Sequence, residues 1–378
     1  MAALIFLVST ALIAYILFGY PVLLALIARL QPRPVCKGAA RKSVSVIIPV
    51  HNGARFIAAK LDSVLGLDYP PEDLEIVVVS DGSTDETDVI VQGFAGKGVR
   101  LIPLPRGGKC AALNAGISQT KNEILLLTDV RQIVAPDSLK NLVGCFADPA
   151  VGAVSGELLI RASASSDEVT TGLYWRYESW IRRNSSLVDS MFGATGPFYA
   201  IRRELAVPLP PDILLDDMYL PLAGFFRGYR LITEPSAKAF DFPTSREVEF
   251  KRKVRTLAGN YQILKVYPGL LGPRNRMWFH FVSYKLARLL LPWLVLAAFV
   301  SSWFLPPLFR IVALGLQCGF YALAALDPLI PARVPVKRLS SLARTFVALL
   351  AAAVFGLSIL VVPPRSLWKE TKIAAHHS

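Results

Sequence analysis

From Leu4 to Ala28 the chain carries no charged residue, and this run narrows most what the molecule can fold into. A spanning helix needs ~20 apolar residues, and in hydrocarbon only helices and closed barrels satisfy their own backbone. No basic residue precedes the run and no small-x-small pattern follows it, so it reads as a retained anchor rather than a removed signal peptide. Leu289 to Phe309 and Thr345 to Pro364 are also uncharged and long enough. Ile311 to Leu326 is shorter and needs Asp327 and Pro328 to Ala332 to reach the far interface. Four spans are expected, and a hydrophobic content of 53% agrees with a chain that lives partly in lipid.

The expected organisation is an anchor over residues 1–30, a charged domain over 41–270, an interfacial segment over 271–288, spans over 289–364 and a tail over 365–378. Arg29, Arg33, Lys37, Arg41 and Lys42 follow the first span, and the positive-inside rule then puts the domain in the cytoplasm of a cell bounded by an inner or plasma membrane. Arg333, Lys337, Arg338 and Arg344 fall on the same side, whereas Arg365, Lys369 and Lys372 fall outside, against the bias.

A net charge of +13 suits an anionic lipid surface or an anionic substrate. Nucleic acid is disfavoured, because the basic residues flank spans and loops instead of lining an aromatic-interleaved groove. Cys36, Cys110, Cys145 and Cys318 form no C-x-x-C pair, so neither a disulfide framework nor a zinc site is readable.

Within the domain, Val44 to Val50, Leu74 to Val79, Val99 to Pro103 and Glu123 to Leu127 read as strands. They alternate with helices over Ala54 to Leu65, from Ser83 to about Phe94 behind the capping box Ser83…Glu86, and over Lys109 to Gln119. This alternation predicts an α/β domain with a doubly wound, mostly parallel sheet and right-handed crossovers. Asp81, Asp129 and Asp217 each stand at or just beyond the end of an apolar run, where open α/β sheets bind ligands. Ser80-Asp81-Gly82-Ser83 alone is a common turn. In Arg106-Gly107-Gly108-Lys109, two glycines admit close backbone approach and a lysine adds charge at a helix start, a combination suited to a diphosphate.

Val44-Ser-Val-Ile-Ile-Pro-Val-His-Asn52, Val79-Ser-Asp-Gly-Ser-Thr-Asp85, Gly108-Lys-Cys-Ala-Ala-Leu-Asn-Ala-Gly116, Leu127-Thr-Asp-Val130, Gly193-Ala-Thr-Gly196 with Arg202-Arg203, and Leu215-Asp-Asp-Met218 follow one another in this order. The series, over roughly residues 44 to 262, resembles the family 2 glycosyltransferases of GT-A fold, in their membrane-integrated branch related to polysaccharide synthases. The resemblance implies a nucleotide sugar donor, by family habit a UDP-sugar, and a lipid-linked or polysaccharide acceptor. It implies Pro49 and His51 at the rim of the nucleotide pocket, Asp81 on the base or ribose, and Lys109 and Asn114 along the nucleotide sugar. Asp129 looks like the first acid of the D-x-D motif that binds the metal and diphosphate, with Mg2+ or Mn2+ as the ion. Asp217 looks like the general base, with Gly196 and Asp216 on the acceptor side.

The chemistry asks for the same groups. Inverting transfer needs a carboxylate to activate the acceptor hydroxyl and positive charge to stabilise the leaving diphosphate. Asp217 suits the first need; Asp129, Lys109 and Arg131 suit the second. Arg131 stands where the family has its second acid, which weakens the case for a metal. The family's Q-x-x-R-W becomes Arg252-Lys-Val-Arg255-Thr256, which keeps Arg255 as a diphosphate ligand but loses the tryptophan near the acceptor end in polymerising relatives.

Phe250, Val254, Leu257, Ala258 and Tyr261 form one face of a basic amphipathic helix expected at the membrane surface. Tyr174, Trp175, Tyr177 and Trp180 are expected as an interfacial aromatic belt, ahead of an acceptor-sugar platform. Two other readings stand beside a single-addition transferase. One is a processive synthase that threads its product through the spans, for which four helices leave little room unless copies associate as a homo-oligomer. The other is a catalytically silent scaffold that kept a nucleotide-binding fold.

Overall fold

The computed structural model describes residues 1–39, 41–161, 172–331 and 333–367; Lys369, Lys372 and His376-His377 lie outside the described residues. The chain forms two compact units, one made of Met1–Ile27, Gly172–Ile181 and Thr244–Ser378, the other of Ala28–Thr171 and Arg182–Pro243.

The second unit is built on an eight-stranded sheet. Its strands are β1 (Val44–Val50), β2 (Leu74–Asp81), β3 (Val99–Leu104), β4 (Ile124–Thr128), β5 (Ile133–Val134), β6 (Val151–Ile160), β7 (Phe198–Arg202) and β8 (Arg230–Asp241), in the order β3-β2-β1-β4-β7-β6-β8-β5. β1 pairs in parallel with β2 and β4, and β2 with β3, whereas β7 runs antiparallel to β4 and β6 and β5 antiparallel to β8. Every residue of β1 and of β4 is buried, as expected of strands covered on both faces. Helices Ala54–Leu65 and Lys109–Ser118 match the expected crossovers.

The segment after β2 differs from expectation. Its helix starts only at Thr87 and ends at Gln92, and the capping box does not form. Ser83 Oγ instead accepts the Asn52 N–H at 3.1 Å, while Asp85 accepts from the Thr87 N–H at 3.1 Å and the Ala54 N–H at 3.1 Å. A carboxylate that satisfies two helix starts outcompetes the serine.

The first unit holds four helical stretches long and apolar enough to cross a membrane: Ala2–Leu30, Trp278–Ser302, Pro307–Leu329 and Val336–Leu360. The second of them absorbs most of the segment expected to be interfacial, since the helix begins at Trp278. Asp327, buried between the third and fourth, accepts from Ser340 Oγ at 2.9 Å and Ser341 Oγ at 2.8 Å and pairs with Lys337 at 2.9 Å and Arg344 at 3.2 Å. Two of the cations counted for orientation are thus neutralised within the hairpin.

Helix Arg246–Val266, which carries Arg255, packs on the last span. A Cβ on Gly356 would lie 3.0 Å from the Ala258 nitrogen, and Phe250 meets Phe355 edge to face at 6.1 Å. The apolar face expected at a lipid surface is therefore taken by a neighbouring helix. Of the expected aromatic belt, Tyr177 donates to the Leu17 carbonyl at 2.8 Å and Tyr174 lies 5.8 Å under the Lys253 ammonium, so these two rings are held within this unit.

Candidate active site

The strand sequence steps outward from β1 through β2 to β3, then returns to the other side of β1 with β4. The carboxyl ends of β1 and β4 flank this reversal, the place where open α/β sheets bind ligands. Pro49 sits in β1 beyond the stretch paired with β4, so its missing N–H leaves no gap in that ladder. After the strand, Asn52 adopts a φ of +50° and accepts the Thr84 N–H at 2.8 Å, which ties the β1 and β2 loops together. His51 Nδ1 donates to the Asp81 carbonyl oxygen at 2.9 Å.

The Asp81 side chain is 3% exposed. It accepts the N–H groups of Gly107 at 2.6 Å and Gly108 at 2.9 Å and pairs with the Arg106 guanidinium. Gly108 then leads directly into helix Lys109–Ser118. Asn114, one turn along, uses its whole amide on the main chain of Leu209, donating at 2.9 Å and accepting at 2.8 Å. It thereby braces the segment that leads to Asp216 and Asp217.

Lys109 joins the acidic residues. Its Nζ lies 3.0 Å from Asp129 Oδ1 and 3.2 Å from Asp216 Oδ1, bringing the start of one helix, the end of β4 and the start of helix Asp216–Phe225 to one point. Burial opposes the charge of this ammonium, but Asp129 and Asp216 outweigh burial and raise its pKa, so it stays a cation at physiological pH. Asp216 is 5% exposed, and its Oδ2 has no hydrogen-bond partner among the described residues.

The Gly193–Pro197 loop connects the acidic groups. The Asp129 N–H donates to the Pro197 carbonyl at 3.2 Å and the Ala194 N–H to the Asp217 carbonyl at 2.8 Å. A Cβ on Gly196 would lie 2.9 Å from Asp217 Oδ2, so this residue leaves the carboxylate its space.

Arg131 does not extend toward this cluster. Its guanidinium bonds the fully buried carboxylate of Asp241, which also accepts from Gln132 Nε2 at 2.9 Å. The cation at the second D-x-D position is thus held inside the sheet edge.

Lys60 was not singled out as a site residue from the sequence. It is fully buried, and its Nζ donates to Thr128 Oγ1 at 2.7 Å and to the Gln132 carbonyl at 2.8 Å, the two ends of the loop that carries Asp129 and Arg131. Burial pulls its pKa down to about 7, against the opposing charge of Asp129. One signal was available: Lys60 shares a helix face with Ile57, Leu61 and Val64, all buried.

Among the described residues no three His, Cys, Asp or Glu side chains gather as a metal site. Asp129, with its side chain 37% exposed, fits a cation that takes most of its ligands from substrate phosphates and water, as Mg2+ commonly does, better than one enclosed by protein. Arg255 belongs to the other compact unit.

Residues 45–207 match the family model described as "Glycosyl transferase family 2". Poly-beta-1,6-N-acetyl-D-glucosamine synthases of Staphylococcus aureus are 27% identical over 231 residues, 59% of this chain and 56% of theirs. The synthase of Staphylococcus epidermidis is 26% identical over 231 residues. The match thus spans about half the length of these curated relatives. Among solved structures, a mannosyltransferase of Pyrobaculum calidifontis in complex with GDP-Man and Mn2+ superposes with a TM-score of 0.73 at 25% identity, covering 94% of this chain and 99% of its own.

Proposed function

We propose, from the premise that this chain is a family 2 glycosyltransferase of GT-A fold, that it is a membrane-bound inverting enzyme. It moves a sugar from a nucleotide sugar to a lipid-linked or polysaccharide acceptor. The observation that carries this reading is the Lys109 ammonium between Asp129 and Asp216, beside Asp217, at the carboxyl ends of the strands. Four helices able to span a bilayer support a membrane location, with the catalytic unit in the cytoplasm.

In this reading Asp217 takes the proton of the acceptor hydroxyl as its oxygen bonds to the anomeric carbon from the face opposite the leaving group. The bond from that carbon to the diphosphate breaks, and negative charge collects on the diphosphate. Lys109 and the amide groups opening helix Lys109–Ser118 lie where that charge develops. A divalent cation on Asp129 would supply further charge to the diphosphate. Asp216 fixes Lys109 from the buried side, and Arg131, committed to Asp241, holds the Asp129 loop instead of meeting the donor. Pro49 and His51 form the nucleotide rim, and Gly196 keeps Asp217 open to the acceptor. Arg255 as a diphosphate ligand remains part of the proposal on the family pattern alone.

The donor follows family habit as a UDP-sugar, while the GDP-Man of the Pyrobaculum calidifontis mannosyltransferase brings guanosine donors into the same test. A processive synthase is the second reading, favoured by the staphylococcal relatives and opposed by Thr256 in place of the tryptophan. Membranes containing the protein, given a panel of radiolabelled UDP- and GDP-sugars, should place one label in the lipid or polymer fraction. Many sugars per acceptor would establish the processive form, and one would exclude it. Chelator in the same assay should reduce incorporation; undiminished label would mean that Lys109 suffices. No incorporation from any donor, with function in cells unchanged in Asp217→Asn, would favour the silent scaffold.

A further inference from the structure

We infer that Lys60 is a positioning residue: from inside the core it fixes the loop that carries Asp129 and, through Thr128, the loop that leaves Asp217 its space. The inference rests on the proposed transfer from a nucleotide sugar and assigns a side chain that acts through its neighbours.

Lys60 belongs to helix Ala54–Leu65 and is fully buried, with Ile57, Leu61 and Val64 on the same face. Its Nζ donates to the Thr128 hydroxyl and to the Gln132 carbonyl, so it grips the Asp129 loop at both ends. Both partners are uncharged, so taking this ammonium out of water costs stability that a methionine of similar length would not. A conflict of that kind is expected where function keeps it in place.

What the ammonium supplies is direction. It has donors only, so the Thr128 hydroxyl must accept from it and turns its own proton to another acceptor. That acceptor is the Pro197 carbonyl at 2.9 Å, which also takes the Asp129 N–H at 3.2 Å. Thr128 pairs with Phe198 across β4 and β7, so the two loops meet side by side at the sheet edge. One runs from Thr128 into Asp129; the other ends at Pro197, next to Gly196. Farther along the first loop, Asp241 holds Arg131 and the Gln132 amide. The Asp129 carboxylate is left facing Lys109, with its side chain 37% exposed. Asp129 on the donor side and Gly196, against Asp217 on the acceptor side, are thus referred to a single buried cation.

The test uses the full chain in detergent, with UDP and GDP as binding probes without added metal. Turnover is read with the labelled sugar nucleotide that the membrane assay selects. In Lys60→Met, kcat should fall by about tenfold or more, because a small displacement at a reacting centre costs that much. Nucleotide affinity should be unchanged, as the rim at Pro49 and His51 is untouched. Loss of both would mark general damage to the fold and overturn the inference. Thr128→Val removes the hydroxyl and should also lower kcat. The double variant Lys60→Met, Thr128→Val should be no slower than Lys60→Met alone, because both changes break one chain of contacts. Multiplied losses would show that Lys60 acts by another route and overturn the inference. Thr128→Ser, which restores the hydroxyl, should recover most of the rate lost in Thr128→Val. This pair carries the test if Lys60→Met does not fold, and equal rates in Thr128→Val and wild type would then overturn the inference. So would a wild-type rate in a folded Lys60→Met, with the transferase reading left intact. A wild type that transfers no label from any donor removes that reading and the inference with it.

Discussion

The Arg131 guanidinium is bound to the buried carboxylate of Asp241, within one loop of Asp129, so the residue standing for the second acid of D-x-D faces inward. Arg131→Asp, which recreates the D-x-D spelling, should therefore fail to build a metal site. It leaves Asp241 buried without its cation and sets a second carboxylate beside it, a change that costs about 3–5 kcal/mol for a broken buried pair. Thermal melts in detergent should show a clear loss of stability, partly restored by adding Asp241→Asn. A stable Arg131→Asp protein with tighter Mn2+ binding would contradict this account.

Asp217→Asn should lower kcat by roughly a hundredfold or more, the usual contribution of a positioned general base, with nucleotide affinity largely kept. Turnover and equilibrium binding measured on one preparation decide it; retained turnover would remove Asp217 from the base role.

Gly196→Ala should act on the same step from a different side. The added methyl would sit 2.9 Å from Asp217 Oδ2 and push the carboxylate aside. A displacement of this size at a reacting group costs up to about a hundredfold in rate, so kcat should fall while nucleoside diphosphate binding is unchanged. Equal rates for Gly196→Ala and wild type would mean that the carboxylate can shift without consequence.

Lys60 makes stability depend on pH in a defined direction. Its folded pKa of about 7 lies below the unfolded value near 10.5, so between these limits the unfolded chain binds the extra proton. This group's contribution to stability consequently rises with pH across that window, by at most about 1.4 kcal/mol per unit. Below pH 7 both states are protonated and the cost of a buried charge is present in full. The stability of the wild type relative to Lys60→Met should increase from pH 7 to pH 9, as read by melting temperature. A flat or falling difference would show that the ammonium stays charged in the fold.

Much of the catalytic unit was legible from local pattern. β1 and helix Ala54–Leu65 were readable to the residue, because six apolar positions around Ser45 and then a 3.6-residue period are properties of consecutive residues. The helix after β2 was not, since its start depends on whether Asp85 or Ser83 reaches the free N–H groups, and Asp85 is fixed by Ala54, 31 positions away. The same limit applied to helix Arg246–Val266, whose apolar stripe was evident but whose partner, the last span, was not.

The sequence by itself determined that this chain has spans long enough for a bilayer, an α/β domain, and acidic residues at strand ends, because strand burial and helix length are written in short stretches of the chain. Only the tertiary structure decided which charges meet. It turned Arg131 onto Asp241, put Lys109 between Asp129 and Asp216, closed the Arg106–Gly108 turn over Asp81 and buried Lys60 beneath Thr128 and Gln132. Charges far apart along the chain are brought together only by the packing of strands and helices. Once they are buried, the cost of leaving any one unpaired selects a particular set of partners.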